Sequence, residues 1–197
     1  MKKTLVLVMA TLMTFGVVGC NSNKAKGDET KLEQGVDKVG ETAEKVKEDV
    51  KAIFFGEMGK SGAFDIKILE VSETDTIKSG VEANDKKIKD KFIVVKLEVK
   101  NNTKDAIAYT KSDFVLKNTK DNKEYTRSES SQIANKREIE MNKDLNHIGV
   151  DTKIEAETTK NTYIAFEVPK DVAISDTVLI NKNAASNDKA VQYKLVK

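Results

Sequence analysis

Phe92-Ile93-Val94-Val95-Lys96-Leu97-Glu98-Val99-Lys100-Asn101-Asn102 is the stretch that decides the fold. Ile93, Val95, Leu97 and Val99 fall at every second position, with polar residues between the later ones. A two-residue period puts alternate side chains on opposite faces of an extended chain, so the segment predicts a long half-buried strand that stops at the asparagine pair. Outward from it, Phe64, Ile66 and Ile68 repeat the pattern on one side and Ile164, Phe166 and Val168 on the other. Shorter candidates are Ile107 to Tyr109, Asp113 to Lys117, Lys123 to Tyr125, Val178 to Asn181 and Val191 to Val196. About eight short strands with few helical stretches between them predict a mainly β domain over residues 54–197, built as an antiparallel β-sandwich.

Upstream the period changes. Leu32, Val36, Val39, Ala43, Val46, Val50 and Ile53 are spaced alternately by four and three, which places them on one stripe of an amphipathic helix over residues 31–53, about 33 Å long. The stripe is valine-rich, and Gly35 and Gly40 each cost about 1 kcal/mol of helix propensity. It predicts a marginal spacer helix, with weak homo-oligomer formation through the stripe as the alternative. Residues 20–30 carry no large apolar side chain and read as a flexible tether of about 17 Å.

The chain opens on Met1-Lys2-Lys3 and an apolar run from Leu5 to Val18, too short for a spanning helix of about 20 residues. Residues 1–19 therefore read as an export signal peptide. Val17-Val18-Gly19-Cys20 resembles the lipobox of bacterial lipoproteins, which implies cleavage before Cys20 and lipidation (palmitate or a similar acyl group) of its thiol. Cys20 is the sole cysteine, so an exported chain offers it no disulfide partner. Several acyl chains, at about 0.8 kcal/mol per buried methylene, hold a protein to a bilayer durably. The expected location is the extracytoplasmic face of the cell membrane.

The sandwich region resembles a family of unknown function found in lipoproteins of Gram-positive bacteria. The likeness rests on Phe92-Ile93-Val94-Val95 leading to Asn101-Asn102, on Ser112-Asp113-Phe114 with Leu116, on Asp121 through Tyr125, and on Phe166-Glu167-Val168-Pro169. It implies an immunoglobulin-like sandwich and supplies no catalytic residue to carry over. Two positions depart from the family pattern: Asn122 stands where a hairpin glycine is usual, and Glu157-Thr158-Thr159-Lys160 replaces a Pro-Gly turn. Asparagine tolerates the left-handed backbone that such a hairpin turn needs.

Chemistry-bearing motifs are sparse. With Lys2 and Lys3 removed, the 34 basic residues fall to 32, against 32 acidic ones, and nucleic acid is disfavoured as a partner because phosphate contacts need a basic excess. His147 is the only histidine, and its surroundings read as structural. Asp121-Asn122-Lys123-Glu124 and Asn183 to Asp188 lack the spacing of a calcium loop. No phosphate-cradling glycine loop occurs; Tyr109, Tyr125, Tyr163 and Tyr193 read as strand packing, and Lys86, Lys87, Lys89 and Lys91 as a solvated loop interleaved with acids. No cofactor, metal or catalytic group is expected. The connection from Thr126 to Lys160 is far longer than usual inside a compact domain, and it is the candidate partner surface. Together these features predict a non-catalytic interaction module of the cell envelope, joined to the membrane through Cys20 and to an unidentified envelope or extracellular protein. A carboxylate-based enzyme and a self-associating spacer are the alternatives.

Overall fold

The computed structural model describes residues 52–108, 113–182 and 189–197. The expected signal peptide, Cys20, the expected tether, Tyr109 and Asn183 to Asp188 lie outside them. So does the predicted helix except for its last two residues, and there the expectation is corrected. Ala52–Ile53 form a strand, β1, paired in parallel with the chain's last strand. Ile53 is buried in the core, so it serves the sandwich rather than a helical stripe.

The other strands are β2 (Met58–Ser61), β3 (Phe64–Ile77), β4 (Lys86–Asn101), β5 (Ile107–Ala108), β6 (Phe114–Asn118), β7 (Glu124–Thr126), β8 (Lys153–Ile154), β9 (Thr159–Val168), β10 (Thr177–Asn181) and β11 (Val191–Lys194). One sheet has the order β1-β11-β10-β6-β7 and the other β2-β3-β4-β9, while β5 and β8 form a small ladder. Every named pairing except β1 with β11 is antiparallel. Immunoglobulin sandwiches place strands A, B, E and D in one sheet and G, F, C and C′ in the other. Here β3, β4 and β9 occupy the places of A, B and E, and β11, β10, β6 and β7 those of G, F, C and C′.

Sequence alternation explains the core. Ile93, Val95, Leu97 and Val99 of β4 are fully buried between the sheets beside Ile66 and Ile68 of β3, Ile164 and Phe166 of β9, Leu116 of β6, and Leu179 and Tyr193 of the facing sheet. The asparagine stop works as read, through an unforeseen mechanism. The buried Asn101 amide donates to the carbonyl oxygens of Ile154 at 2.9 Å and Asp105 at 2.8 Å, and its Oδ1 accepts from Thr103. It thereby ties the end of β4 to β8. Asn122 has φ 61° and makes the β6–β7 turn without glycine. Glu157 at φ 56° turns the chain into β9 in place of Pro-Gly.

Each open side of the sandwich is closed by a different device. On one side β7 crosses over: Thr126 pairs with Val115, while the next residue, Arg127, bridges to Phe166 of the other sheet. On the other side the Tyr193 hydroxyl donates to the Gly59 carbonyl of β2 at 3.3 Å. A Cβ on Gly59 would stand 2.7 Å from the Tyr193 ring and 2.8 Å from Ile53, so glycine is required by close approach.

Candidate functional site

The long connection between β7 and β8 folds onto the outer face of the four-stranded sheet. It contains helix α1 (Ser131–Lys136), a π-helical turn (Arg137–Met141) and a loop that returns to β9. Ala134 and Ile133 of α1 pack with Phe92 and Val94, the outward side chains of β4, together with Ile77, Ile88, Ala165 and Tyr163. Phe92-Ile93-Val94-Val95 is therefore buried on both faces. Four consecutive apolar residues in a strand are the signature of that arrangement.

Polar groups do the rest. β9 is the edge of its sheet, and its outward backbone groups would be left bare where strand D of an immunoglobulin sandwich pairs. The connection satisfies them one after another. Ser128 N donates to Ala165 O at 2.7 Å, and Ala165 N donates to Ser131 Oγ at 2.8 Å. The Asn135 amide imitates a strand rung, with Nδ2 donating to Tyr163 O at 2.9 Å and Oδ1 accepting Tyr163 N at 2.7 Å. Further along, Asn161 N donates to Asn146 O and Ile148 N to Asn161 O. Polar side chains and short backbone pieces thus stand in for a missing strand.

His147 anchors this edge cap. Its side chain is fully buried, stacked on Tyr163 with ring centroids 5.1 Å apart, and its Nε2 lies 2.8 Å from Asn135 Oδ1. Both ends of the Asn135 amide are fixed by the Tyr163 backbone, so Oδ1 is an acceptor and Nε2 must carry the proton. Nδ1 is then the unprotonated nitrogen. It is buried without a hydrogen-bond partner, 3.6 Å from the Asp144 carboxylate. Burial holds the imidazole below its ordinary pKa of 6.5, against the opposing pull of Asp144 and Glu138. Burial alone would raise the Glu138 carboxyl, but hydrogen bonds from Arg137 and Asn142 outweigh it and keep the group below the usual range. Arg127 is buried as well, 3.5 Å from Asp151, with Nε unpartnered.

The cap's outer surface is apolar in places. Leu145 is 87% exposed, Met141 53% and Ile139 38%. Met141 lies against Gly80 of the β3–β4 loop, where a Cβ would stand 2.8 Å from its Cγ, and Val81 beside it is half exposed. A separate pocket of about 430 Å³ opens at one end of the sandwich, lined by Ser61, Phe64, Ile107, Asp113, Lys153 and Asn181 among others. Ala108 and Asp113 of its wall flank residues 109–112, which lie outside the description.

The remaining sequence candidates do not gather. Tyr125, Tyr163 and Tyr193 sit in separate places on β7, β9 and β11. Lys91 pairs with Glu73 at 2.9 Å and Lys87 approaches Asp75 at 3.7 Å, both along the β3–β4 ribbon. Glu124 pairs with Lys182 at 2.6 Å, and Asp121 Oδ1 accepts Lys123 N in the hairpin turn. Among the described residues, no three His, Cys, Asp or Glu side chains come together as metal ligands. Sequence reasoning missed Ser131 and Asn135, which carry no periodic signal, and read Asn101 as a strand stop without its amide's bonds to the Asp105 and Ile154 carbonyls. Only the doubled apolar run at Phe92 marked the covered outer face.

Several solved structures are similar to this chain. An uncharacterized β-sandwich protein from Clostridium difficile shares 16% identity over 74% of this chain and 94% of its own, with TM-score 0.48. The yjhA protein of Bacillus subtilis shares 15% over 72% and 98%, with TM-score 0.47. The secreted protein MPT63 of Mycobacterium tuberculosis shares 10% over 74% and 97%, with TM-score 0.48. No curated protein matches the chain. A family model matches residues 55–191, nearly the whole sandwich, and the chain accordingly belongs to the domain-of-unknown-function family DUF4352.

Proposed function

We propose that the chain is an extracytoplasmic lipoprotein, held to the cell membrane by acyl chains on Cys20, whose sandwich is a non-catalytic interaction module for an envelope or extracellular protein of Gram-positive bacteria. The anchor reading is supported by the basic start, the short apolar run and Val17-Val18-Gly19-Cys20. The module reading is carried by one observation: the edge cap carries exposed apolar side chains, Leu145 foremost, with Met141 and Ile139 on the same connection. A cap needs its inward polar groups to guard β9, and nothing in that task calls for apolar groups facing water.

Photo-crosslinking in the native host tests the module reading. A photoreactive residue at position 145 should yield a discrete adduct that is lost when Met141 and Ile139 become serine. The same residue at position 121, in the β6–β7 turn, should yield none. Equal labelling from both positions, or none from 145 at native expression, contradicts the proposal. Fractionation of Cys20→Ala tests the anchor: release from the membrane, or retention of the uncut precursor, is expected. Unchanged processing and membrane association would sink it.

A further inference from the structure

We propose that His147 is an acid-sensitive lock on the β9 edge cap, so that protonating its imidazole loosens residues 131–148 from β9. The geometry leaves no comfortable place for a second ring proton. Nε2–H is already committed to Asn135, and Nδ1 is enclosed without a hydrogen bond, its nearest carboxylate oxygen, on Asp144, standing off at 3.6 Å. Three elements set the charges around the ring. Asp144 on its own loop and Glu138 on the π-helical turn are acidic, but Glu138 is engaged by Arg137 at 2.8 Å and by Asn142 at 2.7 Å. Asp144 Oδ1 accepts Asn146 N at 2.9 Å, which holds that carboxylate in its own turn. From β4, Lys96 places its ammonium 5.5 Å from the Tyr163 ring centroid, adding a cation beside the stack. Tyr163 of β9 forms the other wall, and burial raises its phenol pKa, so it stays neutral.

An imidazolium formed here must draw Asp144 inward or reach water, and either movement strains the turn that carries Asn146 and Ile148 to β9. The sign follows from linkage. The released segment binds a proton near the ordinary value of 6.5, whereas the docked ring binds it only at lower pH. Docking is therefore fully supported above that value and weakens as pH falls below it. The apolar rim of Ile139, Met141 and Leu145 rides on the same segment, so its presentation changes with the lock.

The only histidine titrates alone, so its Cε1–H proton resonance in the full chain reports directly. The expected midpoint lies below 6.5. Between about pH 7.5 and about pH 5, exchange protection at Tyr163 and Ile148 should fall about tenfold relative to Ile164, once intrinsic rates are corrected. His147→Gln can still donate to Asn135 but cannot titrate, so its protection should stay flat. Asp144→Asn removes a carboxylate that favours the cation. Both the midpoint and the loss of protection should then move together to lower pH. A midpoint at or above the ordinary value, protection that does not change with pH, or protection that falls at an unmoved pH in Asp144→Asn would each overturn the proposal. If His147→Gln fails to fold, the wild-type and Asp144→Asn arms still decide it.

Discussion

The two faces of the β2-β3-β4-β9 sheet are covered by opposite means. Its inner face meets the other sheet through interleaved apolar side chains, with Ile93, Val95, Leu97 and Phe166 fully buried. Its outer face and free edge are covered by a connection that combines a small apolar contact, Phe92 and Val94 against Ala134, with individually placed polar groups. Apolar packing is nondirectional and tolerant, so the inner face needs only the right pattern and volume. The outer cap depends on single side chains such as Asn135, whose two amide ends must meet one backbone carbonyl and one backbone N–H. The first layer supplies most of the stability. The second is the layer that the proposed His147 lock would release.

The largest effect is expected where the comparison is sharpest. Phe166→Ala removes a ring from the inner core, and urea unfolding should report a loss of about 3–5 kcal/mol. Asn135→Ala strands the Tyr163 backbone groups and the His147 Nε2–H, at about 1–3 kcal/mol per buried unpaired group before relaxation. A net loss of about 2–3 kcal/mol in the same titration, with far-ultraviolet ellipticity retained, would fit a cap that is separate from the sandwich. A loss as large as that of Phe166→Ala would make the two layers one cooperative unit.

Smaller effects sharpen the account of the sandwich's sides and turns. Gly59→Ala forces the Tyr193 ring away from β2 and should lower stability by about 1–3 kcal/mol, while Tyr193→Phe in the same background should recover only part of it, because removing the hydroxyl at 2.8 Å leaves the clashes with the ring at 2.7 Å and with Ile53 at 2.8 Å. Asn122→Ala places a Cβ-bearing residue without a polar side chain at φ 61°, for about 1 kcal/mol by thermal unfolding, and Asn122→Gly should be close to neutral.

What the sequence disclosed follows the same division. Alternation located the long strands β3, β4 and β9, because burying one face of a sheet imposes a period of two on the chain, while the hairpin of β6 and β7 was marked by its turn residues Asp121-Asn122 and by the family resemblance. It missed β2, where Met58-Gly59-Lys60-Ser61 has no apolar alternation and the inward positions are glycine and serine. It carried the helical stripe through Ile53, since that residue fits both periods and only the pairing with β11 distinguishes them. The length of the 126–160 connection flagged it as unusual, and His147 read as structural, which its buried position explains. The edge cap itself was not legible. A serine or asparagine that replaces a strand's hydrogen bonds looks in sequence like any loop residue, and its role depends on what stands opposite it.

Native-state hydrogen exchange at low denaturant tests the two-layer account most directly. Along β9, the N–H groups of Asn161, Tyr163 and Ala165 bond to the connection, and alternation turns those of Thr162 and Ile164 toward β4. The first set should open with a lower free energy than the second, and Asn135→Ala should lower only the first. Equal opening free energies in both sets, falling together in the variant, would contradict a cap that moves independently of the sandwich.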